Sequence, residues 1–468
     1  MPTLSLTNFN NVCAVLGGFV TLFGLVSYLL KERFYLSESL ISTLFGVIFG
    51  PHATNWIRPS EYAQHDDSKL DAINLYFTRL VLGIQLVLAG VQLPSRYVVS
   101  RWRTLLLLLG PGMTIMWLSS SLIIWGLVPH LNILHALAIG ACVTPTDPVL
   151  SNSIVKGRFA DEHVPSDLQK IVVAESAAND GLGYPFLFLA LYLIKYVNSG
   201  GQGYEGGARE AMRLWFGETW GYTIIMGAAY GIVIGWIAKE LLHQAEERKC
   251  VDRESFLVFA IALALFIVGT AGMLGSDDVL ACFTAGISFT WDDWFRKETE
   301  EDSVQPTIDM LLNIAVFVWF GSVCPWHSFL ENEFIPIYRL IFIGVLILLF
   351  RRLPFVYLMY PRIPEIEAKR QALFVGFFGP IGVSAIFYLY VSIEFLNHIT
   401  VDGSENGQIR EDAGQLRDQM SIIVWFLTIC SIVVHGVGIP LGKVGVQTMR
   451  CLTISKEPST PQSMSAVV

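Results

Sequence analysis

The sequence predicts an all-α polytopic membrane protein, and three observations carry that prediction. Of 468 residues, 53% are hydrophobic and only 15% charged, whereas soluble chains carry about 25% charged residues. Apolar blocks of about 20 residues, the length that crosses roughly 30 Å of hydrocarbon, recur from end to end. Blocks such as LIFIGVLILLF and LVFAIALALFIVG lack the strict alternation of a transmembrane β-barrel strand. The formal charge of −9 argues against nucleic acid as a partner.

About thirteen spans are expected. They lie near 12–30, 36–57, 73–93, 104–128, 133–155, 168–195, 219–241, 254–274, 278–294, 308–324, 334–360, 371–396 and 418–441. The first charged residue is Lys31, so the N-terminus lacks the basic region of a secretory signal and its apolar block is expected to remain as a span. A transmembrane domain over 1–452 and a short Ser/Pro-containing cytosolic tail over 453–468 follow. Counted over the connections, about 20 Lys and Arg fall on one side and about 9, Arg79 among them, on the other. The richer side is cytosolic, which places the N-terminus outside and the C-terminus in the cytosol. Twelve Trp and sixteen Tyr suit an interfacial aromatic belt. Seven scattered cysteines form no CxxC pair and read as small buried residues or free thiols.

Two spans are broken. Span five contains Thr144-Pro145-Thr146-Asp147-Pro148, where two prolines remove backbone donors and disfavour helix before them. Span twelve contains Gly376-Phe377-Phe378-Gly379-Pro380-Ile381-Gly382. Non-helical backbone at membrane depth survives only inside protein or beside a watery cavity. The two breaks are an odd number of spans apart, so the helices run in opposite directions. Interrupted helices in corresponding places of oppositely inserted halves, that is, inverted repeats, point to a secondary transporter with its site at the midplane. Ordinary proline kinks are the bland alternative. Asp147 is expected to sit against a half-helix N-terminus, whose partial charge is positive.

Span six carries acid where the lipid is most apolar. Residues 172–194 read VVAESAANDGLGYPFLFLALYLI, with Glu175, Ser176, Asn179 and Asp180 as its polar cluster. Ser176 and Asp180 share one helix face, Glu175 and Asn179 the neighbouring one. A charge at the bilayer centre costs at least about 2.5–3.5 kcal/mol and is a functional hypothesis by default. Span eleven offers a partner for Glu175. Arg352 is assigned as the ion-pair partner and Arg351 as the runner-up, against the alternative that these arginines snorkel to the interface. Asp180 is left without an evident cation. A carboxylate near Asp147 and hydroxyls suits a small hard cation, and one that holds either a metal ion or a proton couples their fluxes.

These stretches resemble the monovalent cation/proton antiporters, and more closely the fungal plasma-membrane sodium/proton antiporter family. The matching segments are GVIFGPHA at 46–53, TPTDPVLS at 144–151, AESAANDG at 174–181, SDDVLACFTAGISF at 276–289 and Arg351-Arg352-Leu353-Pro354. The resemblance implies a homodimer with a dimerisation domain and a moving core domain, interleaved in sequence. It implies that spans five and twelve cross at their unwound centres. It implies that Asp180 binds ion or proton, with Asp147, Ser176 and the Thr146 carbonyl lining the site. Asn179 would brace the crossing, and Glu175 would pair with the span-eleven arginine. Asp277 and Asp278 match an acidic pair that the resemblance links to transport, while helix capping is their bland reading. The substrates implied are Na+, Li+ and H+, in a lipid membrane and with no cofactor.

The chain departs from relatives at three places. It carries Asn179-Asp180 where electrogenic bacterial relatives often have two aspartates. Gly379-Pro380-Ile381-Gly382 holds no arginine, unlike animal exchangers. Its tail is short, as in members associated with sodium and lithium selectivity over potassium. A potassium/proton antiporter and a cation channel are the rival functions, and the absence of GxSG and of a matching GxGD argues against an intramembrane hydrolase. His52, His130, His135, His327, His398 and His435 lie near span ends or loops and read as interfacial or core histidines, with pH sensing as the alternative. The acidic run at 300–303 with Asp292 and Asp293 reads as a solvated cytosolic face.

Overall fold

A computed structural model of the chain describes residues 7–34, 36–148, 150–151, 164–198, 204–401 and 408–454. The tail expected over 453–468 falls almost wholly outside them, as does the stretch from 152 to 155 assigned to span five. Among the described residues nine helices are long and apolar enough to cross a membrane, and four shorter apolar helices accompany them. Each falls on one of the spans read from the sequence.

In chain order the helices that build these spans are α1 (Asn8–Tyr28), α2 (Glu38–Phe49), α3 (Asp67–Gln92), α4 (Trp102–Leu127), α5 (Ile133–Cys142), α6 (Ser166–Gly181), α7 (Tyr184–Tyr196), α8 (Gly207–Glu247), α9 (Arg253–Met273), α10 (Asp278–Phe289), α11 (Val304–Val323), α12 (Ile337–Arg362), α13 (Lys369–Phe377), α14 (Val383–Asn397) and α15 (Glu411–Ile454). Helices α6 and α7 together make span six, and α13 and α14 make span twelve. Side-chain caps set several starts. Ser37, Asp66, Asn132, Asp252 and Asp277 each accept a backbone N–H from the first turn of α2, α3, α5, α9 and α10. Pro111 lies in a π-helical turn, Leu108–Gly112, within α4, where the missing donor loosens the ladder.

Lipid supplies no hydrophobic force between helices, so close approach of small residues and polar ties do that work. Gly90 of α3 meets Gly286 of α10 backbone to backbone, and Gly231 and Gly235 of α8 lie against Ala281 and Ala285 of α10. Asn74 on α3 donates to Tyr390 on α14 at 2.9 Å and accepts from the Trp319 indole on α11 at 2.7 Å. Arg79, counted from the sequence with the outer connections, instead lies within α3, where its Nε donates to Asp278 at 2.7 Å. Six cysteines among the described residues are free thiols.

Candidate functional site

The breaks in spans five and twelve meet. Helix α5 stops at Cys142, and α13 stops at Phe377 with α14 resuming at Val383. The Asp147 N–H donates to the Pro380 carbonyl at 3.0 Å, which joins the two unwound segments directly. Each break frees backbone groups that lipid cannot satisfy, and two buried side chains of opposite charge take them up.

Arg351 serves the C-terminal ends. Its Nη1 donates to the Val143 carbonyl and, at 3.2 Å, to that of Pro145, while Nη2 donates to the Gly379 carbonyl. A guanidinium thus lies between two negative helix ends. Asp147 serves the N-terminal ends. Its Oδ2 accepts from the Val383 N–H, the first of α14, and its Oδ1 from the Leu150 N–H at 3.4 Å. A carboxylate against the positive end of α14 is the complementary arrangement. Gly382 allows the approach, because a Cβ there would fall on the Asp147 carboxylate.

Arg351 is therefore not the partner of Glu175. Arg352 holds that place, with Nη1 at 2.5 Å and Nη2 at 2.7 Å from the two Glu175 oxygens and Nε donating to the Val375 carbonyl at 3.0 Å. Both arginines are buried, 2% and 3% exposed, so neither snorkels. The helix interrupts at this pair, with α-helical segments ending at Phe350 and restarting at Leu353. That interruption turns two adjacent guanidinium groups toward different partners.

Helix α6 delivers the polar cluster. Asn179 donates to the Thr146 hydroxyl at 2.7 Å and accepts the Thr146 N–H at 3.0 Å, so one amide pins the first unwound residues of span five. The Thr146 and Ser176 hydroxyls lie 3.0 Å apart, and Ser151 is 3.3 Å from Ser176. Pro185 lacks the N–H that would serve Gly181, and the span kinks between α6 and α7. The Tyr388 hydroxyl on α14 donates to the Asp180 carbonyl and lies 3.4 Å from that of Gly181.

Asp180 differs from its neighbours. It is fully buried, and neither carboxylate oxygen has a hydrogen-bond partner among the described residues. The Asp147 carboxylate and the buried Ser384 hydroxyl of α14 are the groups that act on it. A buried carboxylate whose oxygens find no donor is costly unless a proton or a cation completes it. No cluster of three or more His, Cys, Asp or Glu with metal-holding geometry occurs among the described residues. The oxygens gathered here are those of acids and hydroxyls, the donors that hard cations take.

Asp277 and Asp278 stand apart from the crossing at the start of α10. Asp277 caps that helix, its Oδ1 accepting from the Leu280 N–H at 2.9 Å, while Oδ2 has no partner among the described residues. Asp278 pairs with Arg79. Tyr388 and Ser384 went unmarked in the sequence. A tyrosine or serine inside an apolar helix carries no periodic signal, and only the fold brings them to Asp180.

The family described as sodium/hydrogen exchanger, transmembrane, matches residues 18–441. The chain is 37% identical over 450 residues to Na(+)/H(+) antiporter 2 of Zygosaccharomyces rouxii, covering 94% of this chain and 54% of that protein. It is 40% identical over 439 residues to a probable Na(+)/H(+) antiporter of Schizosaccharomyces pombe, covering 92% and 56%. The chain thus spans about half the length of these curated relatives. The sodium proton antiporter MjNhaP1 of Methanocaldococcus jannaschii, solved at pH 8, aligns with a TM-score of 0.62 and 19% identity over 90% of this chain and 97% of that one. At that identity the likeness speaks for the fold.

Proposed function

Because the chain belongs to the sodium/hydrogen exchanger family, a family of transporters rather than enzymes, we propose that it exchanges cytosolic Na+, and Li+, for external H+ by alternating access. Asp180 binds either the metal ion or the proton. The observation that carries this reading is the Asp180 carboxylate, buried with both oxygens unpartnered beside Asp147. Mutual exclusion at one carboxylate is sufficient for coupling, because the protein crosses between its two faces only with that carboxylate neutralised.

The other residues take supporting parts. Asp147, Ser176 and Thr146 contribute oxygens, Asn179 holds Thr146 in register, and the Glu175–Arg352 pair with Arg351 keeps the crossing rigid. Helix ends whose charges are met in pairs make the site preorganised for a cation rather than dependent on it. Asp277 and Asp278 have a part in transport in this reading through their place at the start of α10. The protein acts as a homodimer in the plasma membrane, N-terminus outside and C-terminus in the cytosol, and needs no cofactor.

Purified protein in proteoliposomes tests this, with an imposed pH difference, a clamped membrane potential, and Na+, Li+ and K+ compared. Sodium accumulation against its gradient in wild-type vesicles, absent from Asp180→Asn vesicles with equal protein, is the expected result. Proton-driven sodium flux that survives Asp180→Asn overturns the assignment. Flux without proton movement marks a channel, and potassium preferred over sodium marks the alternative antiporter.

A further inference from the structure

The unwound part of span twelve is held on a third side, by α15, through two residues that no part of the proposed site uses. The Ile381 N–H donates to the Ser431 hydroxyl at 2.7 Å. That hydroxyl lies 3.1 Å from His435 Nδ1, and His435 Nε2 lies 3.1 Å from the Phe377 carbonyl. Ser431 and His435 are both buried. Phe377 is the last residue of α13, and Ile381 sits two residues before α14. The two ties therefore bracket Phe378-Gly379-Pro380, the segment that crosses span five.

The chemistry of the donors orders this chain. A carbonyl can only accept, so the neutral ring serves either Phe377 through a proton on Nε2 or the Ser431 carbonyl, 2.9 Å away, through one on Nδ1. With the proton on Nε2, Nδ1 accepts from the Ser431 hydroxyl, whose oxygen in turn accepts the Ile381 N–H. In the charged ring Nδ1 donates to the Ser431 carbonyl, 2.9 Å away. The tie to Phe377 holds in the Nε2–H tautomer and in the charged ring. The rings of Phe377 and Phe378 pack on the imidazole at 5.4 and 6.0 Å between centroids and keep water from competing for these bonds. Backbone groups freed by the break are costly in an apolar surrounding unless something in the protein meets them. Arg351 takes the Gly379 carbonyl, Asp147 the Val383 N–H and Ser431 the Ile381 N–H, while His435 lies against the Phe377 carbonyl, which also accepts the Gly379 N–H at 3.0 Å.

We propose that Ser431 and His435 are positioning residues of the exchange site, acting through the segment they bracket. That segment carries the Pro380 carbonyl that receives the Asp147 N–H and leads into the Val383 N–H that holds the Asp147 carboxylate. Loosening it at Phe377 or Ile381 moves Asp147 relative to Asp180, and so weakens cation binding before it slows the movement of the loaded protein. The inference rests on the exchange reading given above.

The test is sodium/proton exchange in proteoliposomes by Ser431→Ala, Ser431→Thr, His435→Ala and His435→Gln, with folded protein quantified by gel filtration. Ser431→Ala and His435→Ala are expected to raise the KM for Na+ by about threefold to tenfold with a smaller change in maximal rate. Threonine restores the hydroxyl and glutamine restores a donor to the Phe377 carbonyl, so these two variants should return toward the wild-type KM. Unchanged KM in the alanine variants overturns the inference, whether or not less folded protein is recovered, and so do Thr and Gln variants that behave like the Ala ones. If His435→Ala yields no folded protein, the Ser431 pair decides by the same criteria. Wild-type vesicles that fail to exchange overturn the exchange reading itself, and the inference falls with it.

Discussion

Removing the charge of Glu175 should destabilise the protein by an amount the geometry allows to be worked out. Glu175 is 2% exposed and Arg352 3%, and the two share a bidentate pair at 2.5 and 2.7 Å. Glu175→Gln keeps the shape but leaves a buried guanidinium with no counter-charge. Breaking such a pair costs about 3–5 kcal/mol. The remaining bond from Arg352 Nε to the Val375 carbonyl survives, which favours the lower part of that range. At about 1 °C per kcal/mol for a chain of 468 residues, the thermal midpoint falls by roughly 3–5 °C. The assay is thermal unfolding of detergent-purified protein, read as the folded fraction by gel filtration. Glu175→Arg with Arg352→Glu should recover part of the loss, with a coupling of about 1–3 kcal/mol in the double-mutant cycle. Recovery stays partial because a glutamate at 352 cannot donate to Val375. A midpoint for Glu175→Gln within about 1 °C of wild type would falsify the assignment of the pair as a structural tie.

Three further outcomes follow from the same geometry. Gly382→Ala places a methyl group on the Asp147 carboxylate. Exchange should drop by about a hundredfold at unchanged protein abundance, and activity near wild type would show that Asp147 need not sit where it does. If proton and sodium compete for Asp180, the apparent KM for Na+ rises as pH falls, approaching about tenfold per pH unit in the acid limit; a KM that stays flat down to the lowest pH at which the protein remains folded would refute the competition. Asp278→Asn breaks the pair with Arg79, whose side chain is 26% exposed. The loss of stability should be about 1–3 kcal/mol, discounted for that exposure, against about 1 kcal/mol for loss of the Asp277 cap in Asp277→Ala. Equal midpoints for wild type and Asp278→Asn would remove the pair's role.

Why the breaks need so many partners has one physical answer. An unwound segment in a membrane exposes carbonyls at one end and N–H groups at the other, and hydrocarbon satisfies neither. Water at the protein surface would do so without any side chain. Here Arg351, Asp147, Ser431 and His435 do it, together with the direct contact of Asp147 with Pro380. This leaves Asp180 as the acid that the backbone does not use. The proposed cation site is thus argued partly by elimination, since the other charges at the crossing among the described residues already have a fixed task.

Composition and spacing alone settled the membrane class, the positions of the spans and the two interruptions, because bilayer thickness and proline chemistry act on residues close together in the chain. They also singled out Glu175, Asn179, Asp180 and the two arginines, since charge inside an apolar block is conspicuous without any fold. Only the tertiary structure decided which arginine meets Glu175, because adjacent residues have near-equal claims until a helix break turns them apart. It alone brought Tyr388, Ser384, Ser431 and His435 to the crossing. Their hydroxyls and imidazole look like ordinary core residues in a linear sequence, and their tasks arise from backbone groups that no sequence pattern marks as unsatisfied.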